Sequence, residues 1–174
     1  KRLYGFDVGW NNTACAWGAF DPETDVIYVT HTYKRGQSEP AIHAQAIKER
    51  GDWIVGAIDP ASRGRQQADG EQLINLYRGQ GLNLILADNA VEAGIFDMYE
   101  RMSTSRFKVF STCHEFFDEY RLYRRDEKGK IVKQNDHVMD AGRYMTRMII
   151  NHGVVNVKKI DPYAKSRKRA GWMG

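Results

Sequence analysis

Short apolar runs separated by turns dominate the first part of the sequence. The first run begins at Leu3, and Ala14–Phe20 and Val26–Tyr33 follow after turn-forming segments at 9–12 and 21–25. All three runs are rich in aromatic and β-branched residues, which favour strands. Three such runs with short turns between them predict an antiparallel meander.

From Glu39 onward the pattern alternates between helical and extended stretches. The predicted helices lie at about 39–50, 73–77, 95–102, 116–123 and 135–151, and the predicted strands at 53–58, 82–87 and 106–110. Strands that alternate with helices build parallel sheets. We therefore predict an α/β fold, in which an antiparallel meander and later parallel strands form one mixed sheet with helices on both faces.

A charged segment at about 124–134, with Gly129 in its turn, predicts a hairpin or arm that projects from this body. The chain of 174 residues fits one domain at 1–153, followed by a tail at 154–174. Because the sequence starts at Lys1 without a Met and opens into a strand, we expect it to be a piece of a longer protein.

The charge is mildly basic, with 26 Lys and Arg against 22 Asp and Glu, and the excess is concentrated in the tail at 165–169. Such a tail fits either a polyanionic partner or a solvated chain end. Cys15 and Cys113 are far apart in sequence, so they indicate neither a disulfide framework nor a zinc site. We find no secretory signal and no apolar run of membrane-spanning length, and we expect no membrane partner.

Three carboxylates fall at related places in this pattern. Asp7 and Asp59 each end a buried strand, and Asp140 lies on the last helix, which can pack across both. A carboxylate in such a place is costly unless a cation or hydrogen-bond donors satisfy it. Converging carboxylates repel one another, and hard oxygen ligands suit Mg²⁺ or Mn²⁺. The pattern is thus typical of a site that uses two divalent metal ions for phosphodiester cleavage.

The last helix adds two further groups, since Asp136 and His137 share its first turns and one of its faces with Asp140. An imidazole ligand would favour Mn²⁺ over Mg²⁺. Simpler interpretations stay open at this point: Asp136 caps the helix, Asp140 pairs with Arg143 or a surface Lys, and Asp7 caps the turn that follows it.

Three motifs together resemble a known family. Gly-Phe-Asp-Val-Gly (5–9), Ala-Ile-Asp-Pro-Ala (57–61) and Asn-Asp-His-Val-Met-Asp-Ala-Gly-Arg-Tyr (135–144) occur in this order. They are similar to motifs of the C-terminal nuclease domain of the large terminase subunit of tailed bacteriophages, which has a ribonuclease H-like fold. Of the three motifs, the third is the most specific. The resemblance covers the chain from Lys1 to about Asn151.

The resemblance implies a metal-dependent endonuclease that cuts concatemeric double-stranded DNA at the start and end of genome packaging. Asp7, Asp59 and Asp140 match the metal-binding acids of the family, and His137 matches a histidine that joins the site in some members. Asp136 is a weaker match. The implied cofactors are two divalent ions, Mg²⁺ or Mn²⁺, with Mn²⁺ preferred.

The resemblance also implies partners. These are double-stranded DNA, an upstream ATPase domain of the same polypeptide, the portal ring and the small terminase subunit, in the host cell cytoplasm during phage assembly. Candidate DNA contacts are Arg63 and Arg65 in the loop after the second acidic strand, and Lys128, Lys130 and Lys133 in the charged hairpin. No Walker motif occurs, so we do not expect translocation from this piece.

Three alternatives compete with this interpretation. Other ribonuclease H-like enzymes, such as hybrid ribonucleases, resolvases and transposases, share an acidic triad. Asp7-Val8-Gly9-Trp10-Asn11-Asn12-Thr13 matches the phosphate loop of actin-like ATPases and sugar kinases, although the chain is short for that fold. A non-catalytic module that docks DNA or the portal is the third.

Overall fold

The computed structural model describes residues 1–63, 73–132 and 134–156, and only the backbone of residues 62 and 63. Its strands are β1 (Arg2–Asp7), β2 (Thr13–Asp21), β3 (Val26–Arg35), β4 (Val55–Ile58), β5 (Leu84–Leu86) and β6 (Phe107–Val109). Its α-helices are α1 (Pro40–Lys48), α2 (Leu73–Gly79), α3 (Val91–Ser103), α4 (His114–Leu122) and α5 (His137–His152), and a short 3₁₀ helix covers Pro60–Arg63.

The six strands form one mixed sheet in the order β5-β4-β1-β2-β3-β6. Strands β1, β2 and β3 are the predicted antiparallel meander. The later strands add to it in parallel, β4 beside β1, β5 beside β4 and β6 beside β3. The predicted mixed sheet is therefore confirmed, with the parallel strands β5 and β6 at its two edges.

Helices cover both faces, as predicted, because side chains along β1 alternate between two cores. Leu3 belongs to the core that packs against α3, α4 and α5. Tyr4, Phe6 and Val8 belong to the core on the side of α1 and α2. This alternation puts Asp7 on the same face as Leu3, towards α5.

Helix α5 contacts the centre of the sheet through a glycine. A Cβ atom added to Gly5 in β1 would lie 1.8 Å from the carbonyl oxygen of Ala141. The absence of a side chain at Gly5 therefore lets the backbone of α5 touch the backbone of β1. No described helix is both long and apolar enough to cross a membrane.

Several predicted boundaries differ from the observed ones. Strand β4 begins at Val55 because the preceding residues form a turn, in which the amide of Ile54 donates to Gly51. Helix α3 begins at Val91, four residues before the predicted start at about 95, and its N-cap residue Ala90 makes no side-chain cap.

The charged segment forms a short hairpin. Arg125 pairs with Ile131 in antiparallel fashion, and Gly129 takes a φ of 75° in the turn, where a side chain would be strained. The guanidinium of Arg125 also donates to Glu92 of α3 at 2.6 Å, which ties the base of the hairpin to the body. At the other end of the domain, the backbone of Val154 pairs with Arg2, one residue past the predicted boundary at 153.

Candidate functional site

Two of the predicted carboxylates are placed side by side by adjacent parallel strands. Asp7 is the last residue of β1, and Asp59 directly follows β4. The amide of Asp59 donates to the carbonyl oxygen of Phe6 at 3.0 Å, so the parallel pairing continues to this point. Because the carboxyl ends of parallel strands meet at one sheet edge, the sequence pattern alone brings these two acids together.

The first turn of α5 brings two more groups to the same place. His137 is the first residue of α5, and its Nδ1 donates to Oδ2 of Asp7 at 2.8 Å. Asp140 lies one turn further on and is only 8% exposed. The close approach of α5 to β1 at Gly5 is what lets side chains of this turn reach the strand ends.

The pKa of Asp7 reflects its burial and the charged groups around it. Burial raises the pKa of Asp7, and the nearby charges of Asp140 and Asp59 raise it further, while the hydrogen bond and charge of His137 act in the opposite direction. The same hydrogen bond raises the pKa of His137. Asp140 and Asp59 are therefore close enough to Asp7 to repel its charge, and the imidazole of His137 partly compensates that repulsion.

Asp140 is held by a buried arginine. Nη2 of Arg143 donates to Oδ1 of Asp140 at 3.0 Å, and the Arg143 side chain is only 2% exposed. The guanidinium also lies 4.6 Å from the ring centre of Tyr144, and Gly94 leaves room for the side chain, since a Cβ there would lie 2.5 Å from Cγ of Arg143. The pairing of Asp140 with Arg143, open in the sequence, is thus observed, but inside the site and not on the surface.

The side chains fit a hard divalent cation in kind but are not arranged around one. Carboxylates and an imidazole are suitable ligands for Mg²⁺ or Mn²⁺. Within the described ranges, however, no group of three or more His, Cys, Asp or Glu side chains is placed to hold a metal ion. Oxygens of Asp7 and Asp140 accept from His137 and Arg143, and Oδ1 of Asp59 accepts from the amide of Ala61 at 3.0 Å. These hydrogen bonds occupy one oxygen of each carboxylate.

The structure assigns no clear contact in the site to the other predicted site residues that it describes. Asp136 is the N-cap residue of α5 and is 6% exposed, but its side chain makes no capping hydrogen bond, so the alternative interpretation as a helix cap is not observed. Lys128 and Lys130 are exposed in the hairpin turn. Arg65 and Lys133 lie outside the described residues, and for Arg63 only the backbone, at the end of the 3₁₀ helix, is described.

The alternative based on an actin-like phosphate loop finds no support in the loop after β1. Thr13 is 1% exposed, and its hydroxyl donates to the carbonyl oxygen of Gly9 at 2.9 Å. Thr13 thus closes its own turn and does not present a hydroxyl to a ligand.

Two buried charged residues near the site were not assigned a role from the sequence. From the sequence, Arg143 is only a possible partner of Asp140, and no motif indicates a role for Glu119. A charged residue on an otherwise apolar helix face is a usable signal, since Glu119 lies between Phe116 and Tyr123 on the inward side of α4.

Comparison with known proteins adds independent evidence. Residues 4–148 match the family model described as the terminase RNaseH-like domain. A curated relative, the large terminase subunit of Enterobacteria phage LP7, is 36% identical over an alignment of 148 residues that covers 79% of this chain and 31% of that protein. The chain therefore spans less than a third of the length of this relative.

Solved structures agree with the sequence matches. The nuclease domain of the P22 large terminase matches with a TM-score of 0.77 and 35% identity, over 84% of this chain and 80% of that domain. The large terminase nuclease domain of bacteriophage SPP1, solved with bound Mn, matches with a TM-score of 0.63 and 14% identity, over 83% of this chain and 84% of that domain. At this lower identity the likeness is one of fold.

Proposed function

Since the chain belongs to the terminase RNaseH-like domain family, we propose that it is the nuclease part of a phage large terminase and cleaves double-stranded DNA where β1 and β4 end. The resemblance of the three motifs is thereby confirmed at the level of the family. The observation that carries the proposed activity is that Asp7 and Asp59 lie at the ends of adjacent parallel strands, with Asp140 of α5 close enough to raise the pKa of Asp7. The cut would separate unit genomes from concatemeric DNA at the start and end of packaging.

Asp7, Asp59 and Asp140 would hold two divalent ions, Mg²⁺ or Mn²⁺, with His137 as a further ligand and Asp136 as a weaker candidate. When bound, such ions supply a nucleophile at neutral pH and neutralise charge in the in-line displacement at phosphorus. An imidazole in the ligand set favours Mn²⁺. We therefore propose that Mn²⁺ is the preferred ion.

The residues of the chain itself have distinct parts in this proposal. Arg143 holds Asp140 on the site face of α5, and His137 orients Asp7 through its Nδ1–H. Arg143, Asp140 and Asp7 are largely buried, which strengthens the electrostatic interactions among them. Because water is the attacking group, no side chain has to form a covalent bond to DNA.

Contacts to the DNA backbone are proposed for the exposed cations. Lys128 and Lys130 extend from the hairpin turn, where ammonium groups can neutralise phosphates. Arg63, Arg65 and Lys133 belong to the same proposal on the basis of sequence position. A shared role in phosphate binding predicts weaker DNA binding at higher salt concentration.

The full activity would need more than this chain. We propose one nuclease domain at 1–153 with a basic tail at 154–174, joined to an ATPase domain and working with the portal ring and the small terminase subunit. The proposed place of action is the host cell cytoplasm during phage assembly. Translocation of DNA is not proposed for the chain itself.

The test is cleavage of supercoiled plasmid by the purified 174-residue chain in EDTA, Mg²⁺ and Mn²⁺. Asp7→Asn and Asp140→Asn are compared with Asp118→Asn, a control on α4 whose carboxylate is 71% exposed. We expect nicked and linear DNA only with metal, from the unmutated chain and the Asp118→Asn control. Cleavage by Asp7→Asn at the unmutated rate would contradict the assignment. Cleavage only of an RNA–DNA hybrid would favour a hybrid ribonuclease, and DNA binding without cutting would favour a docking module.

A further inference from the structure

The side chain of Glu119 connects α4 to the start of α5. It is almost fully buried, at 4% exposure. Oε2 of Glu119 accepts from the backbone amide of Val138 at 2.6 Å and from that of Met139 at 3.1 Å. Oε1 accepts from Nζ of Lys34 at 2.7 Å. One carboxylate therefore joins α4, β3 and the first turn of α5.

These contacts supply the N-terminal cap of α5. The first amides of a helix have no partner within the helix and usually bond to the side chain of the N-cap residue. Asp136, the N-cap residue here, makes no such bond. Glu119 accepts from the second and third amides of α5 in its place, and its negative charge also suits the positive end of the helix dipole.

The capped turn is the one that carries the site. Val138 and Met139 stand between His137 and Asp140 in sequence, so their amides move with these two side chains. A shift or rotation of this turn would change the hydrogen bond from His137 to Asp7 and the position of Asp140 together. The Glu119 contacts thus restrain both groups at once.

Lys34 provides the positive charge that stabilises the buried carboxylate of Glu119. A buried carboxylate is costly unless it is paired and its oxygens accept hydrogen bonds, and Lys34 provides the pair. In the sheet, Lys34 of β3 is aligned with Ala14 of β2, and Ala14 with Asp7 of β1. Because aligned residues point to one face, the ammonium group that holds Glu119 stands on the same row and face as Asp7.

We propose that Glu119 is a positioning residue that fixes the first turn of α5, so that His137 and Asp140 face the carboxylates on β1 and β4. This inference rests on the proposed function for its consequence on cleavage. The effects of Glu119 on the amides of Val138 and Met139 and on the imidazole of His137 can be measured without DNA or metal.

The experiment compares Glu119→Ala and Glu119→Gln with Glu115→Ala in the full 174-residue chain. Glu115 lies one turn earlier on α4 and accepts from the Thr32 hydroxyl of β3 at 2.6 Å, so it is a matched contact between α4 and β3 that does not touch α5. The readouts are amide hydrogen exchange at Val138 and Met139, the ¹⁵N signals of the His137 imidazole, and kcat and KM for plasmid cleavage.

For Glu119→Ala we expect exchange at Val138 and Met139 to rise at least about tenfold, because two charge-assisted hydrogen bonds are lost. The His137 signals should move towards those of an imidazole without a carboxylate partner. The kcat should fall about 100-fold with KM within about twofold, because displaced groups affect the transition state more than DNA binding. Glu119→Gln keeps an acceptor oxygen and should recover part of each loss, while Glu115→Ala should leave all three readouts near the unmutated values.

Unchanged exchange at both amides would overturn the inference. Faster exchange with unchanged His137 signals and unchanged kcat would also overturn it, since Glu119 would then be a cap without influence on the site. If Glu119→Ala does not fold, Glu119→Gln decides by the same criteria. If the unmutated chain cuts no DNA, the proposed function fails, whereas the exchange and imidazole readouts still decide the role of Glu119.

Discussion

At the scale of single residues, two arginines of α5 differ strongly in their exposure to water. Arg143 and Arg147 lie one turn apart on α5, and both form ion pairs. The Arg143 side chain is 2% exposed and pairs with Asp140, whereas Arg147 is 26% exposed and pairs with Asp88 and Asp97, which are about two-fifths exposed. Water screens the second set far more than the first.

We therefore predict that Arg143→Met lowers the free energy of unfolding by about 3–5 kcal/mol, because it leaves a buried carboxylate without its cation. Arg147→Met, the matched control, should cost about 1 kcal/mol or less. Urea unfolding of the two variants measures the difference. Equal losses would mean that Asp140 does not depend on Arg143 for its stability in the buried position.

A second prediction at this scale concerns His137. Removal of an imidazole from a set of carboxylates leaves a harder ligand set, which reduces the advantage of Mn²⁺ over Mg²⁺. His137→Ala should thus lower the ratio of cleavage rates in Mn²⁺ and Mg²⁺ while leaving DNA binding in EDTA nearly unchanged. Titration of both ions in the plasmid assay, with fluorescence anisotropy for binding, measures this. Identical ion profiles for the variant and the unmutated chain would count against a ligand role.

Site residues could be predicted from the sequence only where their position follows from neighbouring residues in the chain. Asp7 and Asp59 could be found because each ends an apolar strand, and Asp140 because it shares a helix face with His137. The pairing of Arg143 with Asp140 could be suggested from their spacing on one helix, but its burial could not, because that depends on how α3 packs against α5. Glu119 could not be assigned a role, because its partners lie on β3 and α5 and meet it only in the tertiary structure.

At the scale of elements, the contact between β1 and α5 decides where the site forms. Gly5 has no space for a side chain, since an added Cβ would lie 1.8 Å from the Ala141 carbonyl oxygen and 2.9 Å from the amide of Met145. Both atoms belong to the helix backbone and cannot turn aside. Gly142, on α5 itself, is different, because its nearest neighbour would be a ring atom of Phe116 at 3.4 Å.

We predict that Gly5→Ala destabilises the fold by about 3 kcal/mol or more, because α5 must move away from the sheet. Gly142→Ala should change stability by less than about 1 kcal/mol, since better helix propensity offsets a tight but ordinary contact. Thermal and urea unfolding of both variants measure this. Similar losses at the two positions would show that the contact of α5 with β1 is not the tighter constraint.

The order of elements could be predicted far better than their neighbours in space. Strand and helix positions follow from hydrophobic periodicity, which is local. The place of β6 beside β3, at the opposite edge from β5, joins strands that are far apart in sequence and is not a local property. The late start of β4 at Val55 likewise depends on a turn hydrogen bond between Ile54 and Gly51.

At the scale of the whole molecule, the fold holds converging carboxylates together at a cost in stability. Burial and the charges of Asp140 and Asp59 all raise the pKa of Asp7, so the folded state disfavours its ionised form. An ion that binds only the folded site would relieve this cost and stabilise the fold by mass action. Stability and the proposed catalytic site are therefore linked through the same residues.

We predict that Mn²⁺ raises the melting temperature of the unmutated chain, with a stabilisation of about 2.7 kcal/mol when free Mn²⁺ is 100 times its Kd. Asp7→Asn should be at least as stable as the unmutated chain in EDTA at neutral pH, because it removes a buried charge that its neighbours repel, and it should gain much less from Mn²⁺. Asp118→Asn, with its exposed carboxylate, should gain as much as the unmutated chain. Calorimetric scans in EDTA and across a Mn²⁺ series measure all three. Equal gains for Asp7→Asn and the unmutated chain would place the stabilising ions elsewhere on the protein, even if cleavage requires metal.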